Sequence, residues 1–354
     1  MLTLWGTKQS SILGVDIGSS SVRVLELSKK GDTYTVQAYA KGIIPDNAIE
    51  GKNIKAPEVI STVLKDLLKK HKIKTKKAAI LVPDSSVITK IIQLEDDLSD
   101  DEAEELVILE ADKYIPYPID EVNIDFQYQG LSARGGPLHD VLVVASRTEN
   151  VNARADLLRN SGLEVSVVDV GSYAIERTCQ LFKKDLINEG ENITLAVFDV
   201  GEIYTKLTVL HNMKTVFSRE EVFGGKQLTD ELVKRYDLSV DDAKKAKSSG
   251  HLPDDYEEEV FQPFKDMVSL QIRRALQFFF STSDITKVDQ ILLAGGSSLL
   301  PGLADKVMEV LSIPTKLVDP MANMSAAKGI DLQAISNDSS ALMLACGLAM
   351  RQFE

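Results

Sequence analysis

A chain of 354 residues with 44% hydrophobic side chains carries enough apolar material for about two to three packed domains. A formal net charge of −13 at pH 7 argues against a nucleic-acid binder, which needs a concentrated basic surface. Only two cysteines occur, Cys179 and Cys346, both among apolar residues; this excludes a disulfide framework and reads as buried thiols in a reducing compartment.

The opening residues MLTLWGTKQS lack a basic region followed by an apolar stretch, so no secretory signal is expected there, and with the lone Trp5 they read as a flexible end. Strands are expected over 11–17, 21–28 and 33–41, forming a meander. Between the first two lies Asp16-Ile17-Gly18-Ser19-Ser20. A tight hairpin uses glycine there for its freedom at positive φ. A second reading has Gly18, Ser19 and Ser20 presenting N–H groups and hydroxyls to a phosphate, with Asp16 facing its metal. In APEVISTVLKDLLKKHK, residues Val59, Ile60, Val63, Leu64, Leu67 and Leu68 recur at helical spacing, and Pro57 suits the first turn. The strand KAAILVP then completes an α/β unit with an antiparallel edge.

A second unit starts near residue 86: strand SVITKIIQL, helix SDDEAEELVILEADKYI, strands VNIDFQYQG and DVLVVASR, helix NVNARADLLRNSG. Ser99 with Glu102 three residues on is a capping-box pattern that fixes the helix start. ARGGP reads as a hairpin loop. The unit looks like a small subdomain inserted into the first one, after which LEVSVVDVGSYAIERTCQLF runs from strand into helix. The polar stretch KKDLINEGEN (183–192) marks a boundary. Beyond it, FDVGEIYTKLTVL repeats VDIGSSSVRVLEL when Asp199 is set on Asp16: strand, Asp, apolar residue, Gly, short turn, strand. A repeat this long is a duplicated domain. A random hairpin has no reason to recur at the same place, so the phosphate reading of both turns gains weight.

In the second half, two glycines in FGGKQLTDEL open a helix, followed by a charged, solvated helical stretch. FQPFKDMVSLQIRRALQFFFS spaces Phe264, Met267, Val268, Ile272, Ala275, Leu276 and Phe279 as a long core helix. KVDQILLAGGSSLLPGLADKVMEVL reads strand, glycine turn, helix. The chain ends in a helix over 338–352; its apolar run ALMLACGLAM is about half of a membrane span and is expected to be buried.

Three small-residue turns thus follow strands: at Asp16-Ile17-Gly18, Asp199-Val200-Gly201 and Ala294-Gly295-Gly296-Ser297. Their order in duplicated halves is similar to the nucleotide-binding fold of actin, hexokinase and the sugar kinases. There, two hairpins clamp the phosphates of ATP and the third turn holds the adenosine. Across nearly its whole length the chain resembles the PilM family of type IV pilus assembly proteins, itself similar to the cell-division protein FtsA. The resemblance rests on LGVDIGSSSVRVLELS, EADKYIPYPIDEVNIDFQ, VVASRTENVNARADLLRNSGLEVSVVDVGSYAIERT, FGGKQLTDEL, LQIRRALQFFF and ILLAGGSSLLPGL.

That resemblance implies an α/β, actin-like (ribonuclease H-like) duplicated two-domain fold with an inserted FtsA/PilM-type subdomain. Residues 10–85, 165–190 and the helix 338–352 would form the first subdomain and 86–164 the insert. Residues 191–222 and 263–337 would form the second large subdomain, and 223–262 a small one. Asp16 would orient waters around Mg²⁺, while Gly18, Ser19 and Ser20 hold the β- and γ-phosphates of ATP. Asp199 and Gly201 would form the opposing clamp, and Gly295, Gly296 and Ser297 would border adenine and ribose. Lys226, with Arg273 or Arg274, would approach the nucleotide from the second half; Lys226 also fits an ordinary solubilising role at a helix start. Hydrolysis needs a group that positions water; Asp169 in VVDVGS is the candidate, with a helix cap as its alternative.

The family reading implies an ATP-binding adaptor in the cytoplasm, recruited to the inner membrane by a partner. That partner is the N-terminal cytoplasmic peptide of PilN. The peptide would lie in a groove between the first subdomain and the insert, adding to a strand edge; Val143 is expected near such an edge. The rival readings are an FtsA-like filament-forming ATPase, which would want a C-terminal amphipathic helix not seen here, and a small-molecule kinase, for which no sugar-site motif appears.

Overall fold

In the computed structural model, residues 11–354 are described apart from 47, 52, 96–97, 133–137 and 250–251. The expectations for Trp5 and for the ARGGP loop (133–137) fall outside the described residues.

Apolar and β-branched runs build the first sheet. Strands β1 (Leu13–Ile17), β2 (Ser21–Lys30) and β3 (Thr33–Ile43) form the expected meander. A short pair, β4 (Ile49–Glu50) with β5 (Asn53–Ile54), precedes α1 (Pro57–Lys70). Helix α1 has Pro57 in its first turn and buries Ile60, Leu64, Leu67 and Leu68 on one stripe. Each such side chain contributes about 2 kcal/mol relative to exposure, so Leu64→Ala costs about 2–5 kcal/mol. Strand β6 (Lys77–Val82) then lies parallel to β1.

The inserted unit forms its own three-stranded sheet. It contains β7 (Val87–Glu95), α2 (Asp100–Ala111), β8 (Val122–Leu131) and β9 (Leu138–Arg147), with β9 central and antiparallel to both neighbours. Ser99 caps α2 through the expected box, its amide bonding Glu102 at 2.9 Å. Val107, Val141 and Val143 fill the small core beneath α2. Val143 is 1% exposed on the central strand, not at an edge. Among the described residues the edges of this sheet are β7 and β8. Helix α3 (Thr148–Asn160), expected with the insert, instead buries Leu157 and Leu158 in the core shared with α1.

Strand β10 (Glu164–Val170) returns to the first sheet beside β6 and runs straight into α4 (Gly171–Cys179). The second half repeats the pattern with β11 (Thr194–Val200), β12 (Thr205–His211) and β13 (Lys214–Glu221). Helices α5 (Gly225–Tyr236), α6 (Val240–Ser249) and α7 (Gln262–Thr282) follow, then β14 (Gln290–Ala294), α8 (Leu303–Leu311) and β15 (Thr315–Leu317). Strand β16 (Ser325–Ala326) crosses back to pair with β3, and α9 (Leu332–Asp338) and α10 (Met343–Met350) end the chain.

The sheet orders establish the duplication. The first reads β3-β2-β1-β6-β10, with β16 outside β3, and the second β13-β12-β11-β14-β15. In each, two antiparallel pairings are followed by two parallel ones. Helices α4 and α10 lie against each other between the sheets. A side chain at Gly347 of α10 would collide with Ala174 O of α4, so the apolar end of the chain is a buried helix, as expected. Ile175 and Cys179 of α4 share a core with Leu195, Leu210 and Leu292 of the second sheet.

Candidate functional site

Both hairpins are built alike. The β1–β2 turn closes with Gly18 N donating to Ser21 O at 2.9 Å, and the β11–β12 turn with Gly201 N donating to Tyr204 O at 2.9 Å. Strand register sets Asp16 directly opposite Arg23, and Asp199 directly opposite Lys206. The first turn therefore presents Gly18, Ser19 and Ser20, and the second Gly201 followed by Glu202, Ile203 and Tyr204, each flanked by a carboxylate and a cation within cross-strand reach. Burial pushes the Asp16 carboxyl up to about 6; Arg23, 4.0 Å away, pulls against it and the charge of Asp199 adds to it. Burial likewise raises Asp199, with Lys206 and Arg23 opposing.

The third turn is fastened to the second hairpin. Gly295 adopts φ +88°, its N–H bonds Ser340 O at 2.8 Å, and Ser297 Oγ donates to Gly201 O at 2.8 Å. The amides of Gly225 and Lys226 at the start of α5 donate to Gly201 O and Glu202 O at 2.9 and 2.7 Å. The three turns wall a cleft of about 720 Å³ between the halves. At one rim, Lys244 of α6 reaches both carboxylate oxygens of Asp46 at 2.7 Å.

Asp16, Gly18, Ser19, Ser20, Asp199, Gly201, Gly295, Gly296 and Ser297 all line this cleft. Four expected residues stand apart. Lys226 Nζ pairs with Asp230 one helical turn on, at 2.6 and 2.7 Å, as a solvated helix-start residue does. Arg273 donates to Val310 O of α8 at 3.0 Å, and Arg274 is exposed on α7. Asp169 neither lines the cleft nor caps α4: its carboxylate meets Arg177 at 3.0 Å and Arg351 at 3.6 Å, in the corner made by the chain's end.

The residue reading missed the charged groups beside the turns. Asp338 accepts from Tyr39 Oη and Lys41 Nζ at 2.6 Å each and from Arg23 Nε at 3.4 Å. Burial pushes Asp338 up, but these partners outweigh it and hold the carboxyl below its ordinary range. Asp84 ion-pairs with Lys206 and accepts from Ser172 N and Ser218 Oγ at 3.0 Å each; again burial is outweighed and the carboxyl lies low. Two signals were legible. The same spacing separates Asp16 from Arg23 and Asp199 from Lys206. Duplication also demands a first-half counterpart to Gly295-Gly296-Ser297-Ser298, and Pro83-Asp84-Ser85-Ser86 after β6 supplies it, each opening a short 3₁₀ turn.

Among the described residues no group of three or more His, Cys, Asp or Glu converges to hold a metal ion. Mg²⁺ does not require one, since it keeps several waters and takes one or two carboxylates together with phosphate oxygens. Two buried carboxylates raised by desolvation, facing turns that offer N–H groups and hydroxyls, fit a hydrated Mg²⁺ carried by a phosphate chain.

The family model of type IV pilus assembly protein PilM matches residues 14–353. A solved structure of a PilM–PilN type IV pilus biogenesis complex is similar at 24% identity and a TM-score of 0.79, covering 98% of this chain and 99% of that one. The crystal structure of ethanolamine utilization protein EutJ from Carboxydothermus hydrogenoformans is similar at 15% identity and a TM-score of 0.57, covering 96% and 89%. These likenesses and the repeated sheet order show the actin-like, duplicated two-domain α/β fold expected from the sequence.

Proposed function

The chain belongs to the family of type IV pilus assembly protein PilM, and from that premise we propose that it is a cytoplasmic adaptor holding Mg²⁺ and ATP in the cleft between its halves. The observation that carries the nucleotide half of this reading is the matched pair of hairpins. Asp16 opposite Arg23 and Asp199 opposite Lys206 flank turns that each open on a glycine, Gly18 and Gly201, and face one cleft. The turn of Gly18, Ser19 and Ser20 and the turn opened by Gly201 would hold the phosphates through the donors the hairpins leave free, Asp16 and Asp199 the waters of Mg²⁺, and Gly295, Gly296 and Ser297 the nucleoside. Nucleotide binding ranks ahead of hydrolysis, because Asp169 is committed to two arginines away from the cleft.

The adaptor's partner is the N-terminal cytoplasmic peptide of PilN, through which it reaches the inner membrane. Support comes from the family and from the insert's two edge strands, β7 and β8, to which an extended peptide can add. Among the described residues no helix is long and apolar enough to cross a membrane, so attachment through a partner fits. A synthetic peptide copying about the first dozen residues of the cognate PilN should bind with a Kd of about 1–10 μM, as expected for a short segment that orders on binding. Ile91 lies on β7 and is 48% exposed. Ile91→Asp should weaken the peptide while the melting temperature holds; an undiminished affinity would move the groove away from β7, and no binding to wild type would refute the adaptor.

A further inference from the structure

The two hairpin cations are held differently. Arg23 stays near its own Asp16, within the first half, and its other carboxylate is Asp338. Lys206 ion-pairs across the cleft with Asp84, which belongs to the opposite half. Asp84 gathers donors from both sides: Ser172 N from the first half, and Ser218 Oγ and Lys206 Nζ from the second. The pair is buried, with side chains 11% and 14% exposed, and both residues line the cleft. Space is kept for it: a side chain at Gly171 would collide with Lys206 Nζ and lie 2.8 Å from Asp84 Oδ2. The rim pair Lys244–Asp46 also joins the halves, but its side chains are 36% and 67% exposed, so it is more screened than the Lys206–Asp84 pair.

We propose that Asp84 is a latch that withholds Lys206 from the phosphate end of the cleft, so that Asp84 and the phosphates of a bound nucleotide compete for one ammonium. This rests on the nucleotide reading above. Lys206 stands directly opposite Asp199, on the strand that leaves the phosphate-facing turn, so it needs only to swing about its own stem to meet a phosphate. An ammonium on a flexible four-carbon stem suits such an exchange, where a guanidinium fork would not. When Lys206 leaves, Asp84 keeps Ser172 N in its own half and loses its strongest tie to the other half. Nucleotide occupancy thereby exchanges a direct tie between the halves for one that runs through the bound phosphates, and Asp84 acts as a positioning residue through Lys206.

The test is equilibrium binding of Mg-ATP to wild type, Asp84→Asn, Lys206→Met and the double variant, each checked for folding by thermal melting. Freeing Lys206 in Asp84→Asn should tighten Mg-ATP about tenfold, the scale of one charge-assisted contact, and Lys206→Met should weaken it about tenfold. In the Lys206→Met background, Asp84→Asn should change nothing. Ser218→Ala, which leaves the Asp84 carboxylate more dependent on Lys206, should weaken Mg-ATP by less than tenfold, an effect absent in the Lys206→Met background, and serves if Asp84→Asn does not fold. Unchanged or weaker binding in Asp84→Asn, or tightening that persists without Lys206, overturns the latch. No Mg-ATP binding by the folded wild type overturns the nucleotide reading itself, and the latch with it.

Discussion

Gly295→Ala and Gly296→Ala change neighbouring residues by one methyl group and should behave oppositely. At Gly295 the backbone has φ +88°, and a Cβ would collide with Asp199 Oδ1 and stand 2.5 Å from Val200 O. With ψ 162° this is an extended positive-φ conformation that only glycine adopts readily, and it costs an L-residue about 1–3 kcal/mol. Val200 O is strand backbone and cannot turn aside, so the third turn must move, straining Gly295 N to Ser340 O and Ser297 Oγ to Gly201 O, worth about 1 kcal/mol each. The sum is about 3–5 kcal/mol, a fall in melting temperature of roughly 4–7 °C for a chain of 354 residues. At Gly296 the nearest atom to a Cβ is Arg23 Nη2 at 3.8 Å, an ordinary contact, so the change should stay within about 0.5 kcal/mol. Differential scanning fluorimetry with and without Mg-ATP reads both effects: Gly295→Ala should melt early and lose the nucleotide shift, while Gly296→Ala melts with wild type. Equal melting temperatures for the two variants would refute the packing of the third turn against β11.

Asp16 makes stability and ligand affinity depend on pH in opposite senses. Its carboxyl is raised to about 6 from 3.8, so the folded state holds the proton more tightly than the unfolded one. Stability of the free protein should therefore fall as pH rises from about 4 to about 6, by about 3 kcal/mol, and Asp16→Asn should flatten this slope in urea unfolding. Mg-ATP needs the ionised form, so its affinity should fall as pH drops below about 6, up to tenfold per unit, measured by titration calorimetry. Asp169→Asn should lower stability by about 1–3 kcal/mol through its arginine partners and leave Mg-ATP affinity within twofold; a specific loss of affinity or turnover would return Asp169 to the cleft. Lys226→Ala should change neither melting nor Mg-ATP affinity, because its charge is spent on Asp230 in solvent.

What could be read ahead was what is local or repeated. Asp16 and Asp199 announced themselves because an acid, an apolar residue and a glycine interrupt two β runs in the same way, and strand alternation then fixes the side they face. The start of α2 was legible because Ser99 and Glu102 satisfy each other within one turn. Helical spacing alone does not say which neighbour a stripe meets, so α3 was grouped with the insert although Leu157 and Leu158 pack beside α1. Nor does a basic residue near a glycine turn reveal where its stem points: Lys226 turns to its own helix and Arg273 to α8. Asp84 and Asp169 needed partners far along the chain, Lys206 in one case and Arg351 in the other. An extended core strand such as β9 also reads much like an edge until its two neighbours are known, which is why Val143 was misplaced.

The central claim, that two matched hairpins form one Mg-nucleotide clamp, is tested most directly by calorimetric titration of Mg-ATP into wild type and Asp16→Ala at pH 7.5. The account predicts one site per chain in wild type and an affinity at least tenfold weaker in a folded Asp16→Ala, since the variant loses the carboxylate that meets the metal's waters. Equal affinities in the two proteins, or no heat of binding in wild type, would contradict it.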